Sequence, residues 1–133
     1  LAIVSIVVFT SGYAVTTVIP SLLLNRAEQI HVSGGFPEVY YLRTLHWPWP
    51  NLQAHESYAI ALMDAGRYDA AAVQLAYAAE GLDTGRLHLL QARCAAKRGD
   101  HAAVLFHAYA CRYRWPDNEE ANFLIYRHNA QKF

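Results

Sequence analysis

The strongest constraint on the fold is a stretch of sequence that occurs twice. Gly66-Arg67-Tyr68-Asp69-Ala70-Ala71 returns as Gly99-Asp100-His101-Ala102-Ala103, and a weaker echo, Gly35-Phe36-Pro37-Glu38-Val39, stands at nearly the same interval upstream of Gly66. That period corresponds to one helical hairpin per repeat. In each echo the Gly is placed to end a helix in the left-handed conformation, so that the next helix begins after a short turn and packs against the first. The second helices stop before Pro48 and Pro50, before Gly81 and Gly85, and before Trp115-Pro116. Helices are therefore expected at about 22–31, 37–46, 53–65, 68–80, 86–98, 101–114 and 117–130. The last takes Asp117 or Asn118 as its cap and carries Glu119 and Glu120 in its first turn, where the positive end of the dipole favours them. Ala70, Ala71, Ala78 and Ala79 on one second helix, and Ala102, Ala103, Ala108 and Ala110 on the next, are expected to let backbones approach. Leu62, Leu75, Leu90 and Leu105 would fill the space between them.

A second feature stands before the repeats. From Leu1 to Leu24 there is no charged side chain, and the run is long enough to cross a hydrocarbon core as a helix, which takes about 20 residues. Ser5, Thr10, Ser11, Thr16 and Thr17 can bond back to carbonyls of the preceding turn, so they do not oppose insertion. A cleavable signal peptide fits less well, because the run has no positively charged start and no A-x-A site after it. A β-hairpin around Thr10-Ser11-Gly12 is the alternative, but one so apolar on both faces would need a cover that a helical remainder does not offer. The chain begins with Leu, which is the expectation for a piece of something longer. The overall reading is all-α: a transmembrane helix over 1–24, then stacked helical hairpins, an α-solenoid, over 25–133.

The repeat wording resembles the tetratricopeptide repeat, in which a Gly precedes an aromatic residue, Ala occupies the second helix and Pro closes the unit. Tyr68 and Ala78 fit that pattern around Gly66, and Pro116 fits it around Gly99. The resemblance covers Asn51 to Pro116 well and Asn25 to Pro50 loosely. Two departures are visible: His55 and His88 stand where a large aromatic is expected, and no Pro closes the middle repeat. At the level of the whole chain, an apolar segment feeds directly into Leu62-Met63-Asp64-Ala65-Gly66-Arg67-Tyr68-Asp69-Ala70-Ala71, with the ending Arg112-Tyr113-Arg114-Trp115-Pro116-Asp117-Asn118-Glu119-Glu120-Ala121. This layout is similar to the C-terminal periplasmic tail of bacterial O-antigen ligase and polymerase type membrane proteins, including the oligosaccharyltransferases that glycosylate pilins. The resemblance implies a bacterial inner-membrane protein with its repeats in the periplasm, serving the transfer of glycans from a polyprenyl diphosphate carrier. It also implies that the catalytic residues lie upstream, so none is carried onto this chain.

Motifs for chemistry are absent from the sequence. His55-Glu56-Ser57-Tyr58-Ala59 begins like the zinc-protease motif but has Ala59 where the second His must sit, and His101 and His107, six apart, fall on different faces of a helix. The seven histidines are read as residues of helix surfaces and ends. There is no G-x-S-x-G elbow and no phosphate loop, and neither a metal nor a cofactor is expected. Cys94 and Cys111 lie on the two helices of one hairpin, whose antiparallel pairing could bring them near one another for a bond in an oxidising periplasm, although two buried thiols are the expected state.

Eleven basic and eleven acidic residues cancel, which removes the basic footprint of a nucleic-acid binder. Charge is nevertheless uneven along the chain: between 86 and 115 stand Arg86, Arg93, Lys97, Arg98, Arg112 and Arg114, with Asp100 as the only acid. Arg86, Arg93 and Lys97 share a helix face by their spacing of seven and four, with Tyr109, Tyr113 and Trp115 nearby. This stripe is the candidate binding surface for an anionic glycan, a lipid-linked diphosphate or a protein partner, against the plainer reading of a solvated helix face. The opposite face, around His55, Tyr58 and Tyr77, is the second candidate. His46-Trp47-Pro48-Trp49-Pro50 suits either a membrane interface or packing against the following repeat. The expected function is thus a membrane-tethered interaction module, part of a glycan-transferring protein. The alternative is a free-standing single-span adaptor of a secretion or pilus assembly.

Overall fold

The computed structural model describes residues 18–46 and 51–130, and the chain divides into two compact units, 1–54 and 55–133. Among the described residues all regular structure is helical, in seven helices: α1 (Ile19–Val32), α2 (Glu38–Leu45), α3 (Leu52–Asp64), α4 (Tyr68–Ala79), α5 (Gly85–Arg98), α6 (His101–Arg114) and α7 (Glu119–Ala130). Each lies within a few residues of its expected position.

In the first unit, α1 runs straight through the expected boundary at Leu24. Pro20 sits in its first turn, where a missing N–H costs nothing, and Pro20, Leu24 and Ala27 form its buried face. Residues 1–17 of the expected membrane span lie outside the described residues. No described helix is long and apolar enough to cross a membrane, and α1, with 14 residues, carries Arg26, Glu28 and His31. The Trp47 to Pro50 cluster also lies outside the described residues. α2 packs on α1 with Tyr41 and Thr44 buried. The Thr44 hydroxyl donates to the Tyr40 carbonyl at 2.9 Å, and burial, with Glu28 adding to it, pushes the Tyr41 phenol up to about 12.

The hairpin turns follow one pattern. Gly34, Gly66 and Gly99 have φ of 86°, 74° and 75°. After each, the next N–H reaches the carbonyl five residues back: Gly35 to Ile30 at 2.9 Å, Arg67 to Leu62 at 2.8 Å, Asp100 to Ala95 at 3.0 Å. These are the bonds of a Schellman cap, which needs a residue without a Cβ penalty at positive φ. The turn glycine expected in the first hairpin is Gly35, whereas the left-handed residue is Gly34. Gly35 is needed for a different reason, since a Cβ there would lie 2.7 Å from Ile30 Cγ2. Gly85 does not end a helix but opens α5, and a Cβ on it would press on Trp115 and Arg114 at the end of α6.

Four helix starts are capped by side chains, whereas α1, α2 and α4 begin without one. Asn51, Thr84 and Asn118 accept the N–H of Ala54, Leu87 and Ala121 at 3.0, 3.1 and 2.8 Å, capping α3, α5 and α7, while Asp100 caps α6 by accepting from Ala103. Each such cap stabilises a helix by about 1 kcal/mol. In the second unit, α5 packs on both α4 and α6, and α7 packs on α6. The core between α5, α6 and α7 is built from Leu89, Ala92, Ala95, Val104, Ala108, Cys111, Ala121, Leu124 and Ile125. Of the alanines expected at close contacts, Ala71, Ala78 and Ala108 are fully buried, Ala70, Ala103 and Ala110 are half-buried, and Ala79 and Ala102 are exposed. Leu62, Leu75 and Leu90 are core residues as expected; Leu105 is half-buried, because the rotation of α6 turns Val104 inward in its place.

Candidate functional site

The basic residues of α5 are exposed, but its arginines are not free. Arg86 Nε lies 2.9 Å from Glu56 Oε1 on α3, Arg93 grips both carboxylate oxygens of Glu120 on α7, and Arg98 Nε lies 2.8 Å from Asp69 on α4. Arg114 bonds Asp83 in the loop before α5. These arginines therefore each meet an acid from a neighbouring element, and the run that looks positive along the chain is largely balanced in space. Hydrogen bonding to Arg93 holds the Glu120 carboxyl below its ordinary range and raises the guanidinium of Arg93 in return. Lys97 carries no ion pair among the described residues and borders a shallow polar hollow with Gly66, Asp69 and Arg98. Within the stripe, Arg86 and Arg93 are thus paired with acids of neighbouring helices, and Lys97 is not.

The second candidate face is also divided. Tyr58 is only 4% exposed, so it belongs to the packing of its helix and not to a binding surface. Tyr77 is 48% exposed and lies against the ring of His55, centroids 5.3 Å apart. Glu56, next to His55, is buried beneath Arg86, which explains the fragment of a metalloprotease motif as a structural ion pair. Among the described residues no three His, Cys, Asp or Glu side chains converge as metal ligands. Cys94 and Cys111 are buried free thiols. Burial raises both, and the Cys94 thiol donates to the Tyr68 carbonyl at 3.2 Å.

What the structure brings together is a set of histidine contacts across helix pairs, in which His88 and His107 are half-buried and His128 is buried, where residues of helix surfaces and ends were expected. His55 Nδ1 lies 2.7 Å from Gln74 Oε1, joining α3 to α4. At the equivalent positions of the next hairpin stand His88 and His107, whose Nδ1 atoms lie 3.4 Å apart and join α5 to α6. His88 Nε2 donates to Asp83 at 2.9 Å, and Asp83 also receives Arg114, so its carboxyl is held low, by Arg114 first and His88 second. With Nε2 carrying the proton, a neutral His88 offers Nδ1 as acceptor to His107. A further pair, His101 and His128, joins α6 to α7 with Nδ1 atoms 2.9 Å apart. Burial, then the facing ring, lowers both His107 and His128 from the ordinary histidine value. The signal for the first pair was in the sequence: aligning Gly66 with Gly99 places His88 under His55 and His107 under Gln74.

Two surface features adjoin these contacts. A cavity of about 180 Å³ opens where α4, α5 and α6 meet, lined by Leu75, Gln91, Cys94, Arg98 and His107 among small alanines, and Gln91 Oε1 has no hydrogen-bond partner there. On the outer side of α6, Phe106, Tyr109 and Tyr113 follow one another at helical spacing, with Phe106 68% and Tyr113 85% exposed. Arg112 stands 4.9 Å from the centre of the Tyr109 ring, and Arg114 stands 5.9 Å from that of Tyr113. No protein-family model and no curated protein matches the chain.

Proposed function

We propose that residues 51–130 form a tetratricopeptide-like interaction module whose partner meets the outward aromatic face of α6. The observation that carries this reading is the run of Phe106, Tyr109 and Tyr113, exposed together and flanked by two arginines. Large apolar rings grouped on a surface cost solvation unless something covers them, and aromatic residues with Arg are the side chains that dominate binding energy at protein interfaces. The partner is accordingly a protein, with an anionic or lipid-linked glycan as the second reading, favoured by Lys97. Module character is supported by the geometry that α3–α4 and α5–α6 share, because stacked hairpins of this kind present extended surfaces without needing catalysis.

On the resemblance in layout, the module belongs to the periplasmic end of a glycan-transferring inner-membrane protein, tethered by the apolar segment before it. A free-standing adaptor with one span is the alternative. The gene upstream of Leu1 separates them: a series of apolar spans is expected for the first, and a start codon close to Leu1 for the second. The interaction surface itself is tested by placing a photo-crosslinking phenylalanine analogue at Phe106 or Tyr113 of the full chain in its native cells, with Gln53 as a control on α3. A discrete protein adduct from 106 and 113 but not from 53 is expected. No adduct, or the same adducts from all three, would contradict the proposed surface.

A further inference from the structure

Helix α6 is held on both sides by facing imidazoles: His107 meets His88 on α5, and His101 meets His128 on α7. Two neutral rings can share one hydrogen bond, because one nitrogen donates and the other accepts. Two protonated rings cannot, since both nitrogens then donate and two positive charges stand about 3 Å apart. We propose that the pairs His88–His107 and His101–His128 are an acid-sensitive latch that keeps α6 seated between α5 and α7 near neutral pH and loosens it on acidification. The latch does not rest on the partner surface proposed above, although Phe106 of that surface meets the His107 ring edge-on, centroids 5.0 Å apart.

The surroundings of each pair set the direction. Around the first stand Asp83 on His88 and Arg114 on Asp83, Arg98 on the wall of the same cavity as His107, and Asp100, which favours a charge on His107. Burial of His107, then the facing His88 ring, outweighs the pull of Asp100. Around the second pair Arg127 adds to the repulsion on His128, which is buried. The folded protein thus holds His107 and His128 neutral at a pH where the unfolded chain takes up protons with ordinary values near 6.5. Stability is complete above that value and is lost as pH falls from about 6.5 through the lower folded values. For each proton excluded, the folding equilibrium constant falls about tenfold per pH unit within that window. The carboxylates that are held low, Asp83 and Glu120, lose their stabilising effect only below about pH 4.5, so the histidines act without them between about pH 6.5 and 4.5.

The first hairpin supplies the control, because Gln74 occupies the place of His107 and cannot titrate in this range. Urea midpoints of the full chain should be measured at pH 7.5, 6.5 and 5.5 for the wild type, His107→Gln and His107→Gln/His128→Gln. The wild type should lose stability on acidification, the single variant less, and the double variant least. Equal pH slopes in all three would overturn the proposal. Should a variant fail to fold, imidazole proton signals of the wild type decide the matter by NMR. Titration of His107 and His128 below about 6.5 supports the latch, and titration at or above it refutes the latch.

Discussion

The hairpins α3–α4 and α5–α6 repeat one another in the spacing of their helices and turn on equivalent glycines, yet they join their helices with different chemistry. In the first, His55 faces the neutral amide of Gln74; in the second, His88 faces a ring that can take a proton. Other equivalent positions also differ: Ala61 and Ala78 are replaced by Cys94 and Cys111, and Tyr58 by Gln91, whose amide oxygen has no partner. The backbone frame tolerates these exchanges because both hairpins turn on a left-handed glycine, Gly66 and Gly99, that the exchanges leave untouched. The lesson is that the shared spacing of helices and turns sets where side chains meet, and the residue pair placed there sets how the contact responds to its surroundings.

The largest effect that should leave the two hairpins alike is overpacking. Ala78→Trp in α4 and Ala108→Trp in α6 each force a ring into a fully buried site and should cost about 3 kcal/mol or more, read as a large fall in Tm. Ala103→Trp, at a half-buried position beside the cavity, should cost clearly less. Next, Gly66→Val and Gly99→Val should each lose about 1–2 kcal/mol, measured by urea unfolding. No atom lies within 4 Å of the added Cβ at either site, so the whole loss comes from the backbone and should be nearly equal in the two. A marked inequality would mean that the turns are not equivalent.

A smaller effect should separate the hairpins and then merge them. Gln74→His gives the first hairpin the facing imidazoles of the second, and its stability at pH 5.5 relative to 7.5 should fall below the wild-type ratio. The smallest effects concern the ion pairs. Arg93→Gln removes an exposed pair with Glu120 and should cost no more than about 1 kcal/mol. Arg86→Gln should cost more than Arg93→Gln, because Glu56 is buried and would keep a carboxylate without its partner. Equal losses by chemical denaturation would show that Glu56 is solvated without Arg86.

The helices were legible in the sequence because their limits are written in local residues. Gly66, Gly99 and Pro116 act within a turn of where they stand, and Asn118 caps the helix that follows it. The choice between Gly34 and Gly35 was not legible, since it depends on Ile30 lying over one of them. Nor was the neutralisation of the arginines: Glu56, Asp69, Asp83 and Glu120 stand a whole hairpin away from their partners along the chain and reach them only through helix packing. The burial of Tyr58 has the same origin, because a tyrosine on a helix has no sequence mark that tells the packed side from the open one. The facing histidines were half legible: the period aligns them, but only the antiparallel packing of α5 and α6 turns two aligned positions into a contact.

Hydrogen exchange of the full chain at pH 7.5 and 5.5, corrected for the intrinsic rate at each pH, compares the two hairpins in one molecule. If the latch loosens on acidification, amides of α6 and α7 should open locally and their protection should fall. Those of α3 and α4, joined by His55 and Gln74, should keep more of theirs. Equal loss of protection in both regions, or none in either, would contradict the claim that one frame carries an imidazole–amide joint in its first hairpin and an acid-sensitive imidazole–imidazole joint in its second.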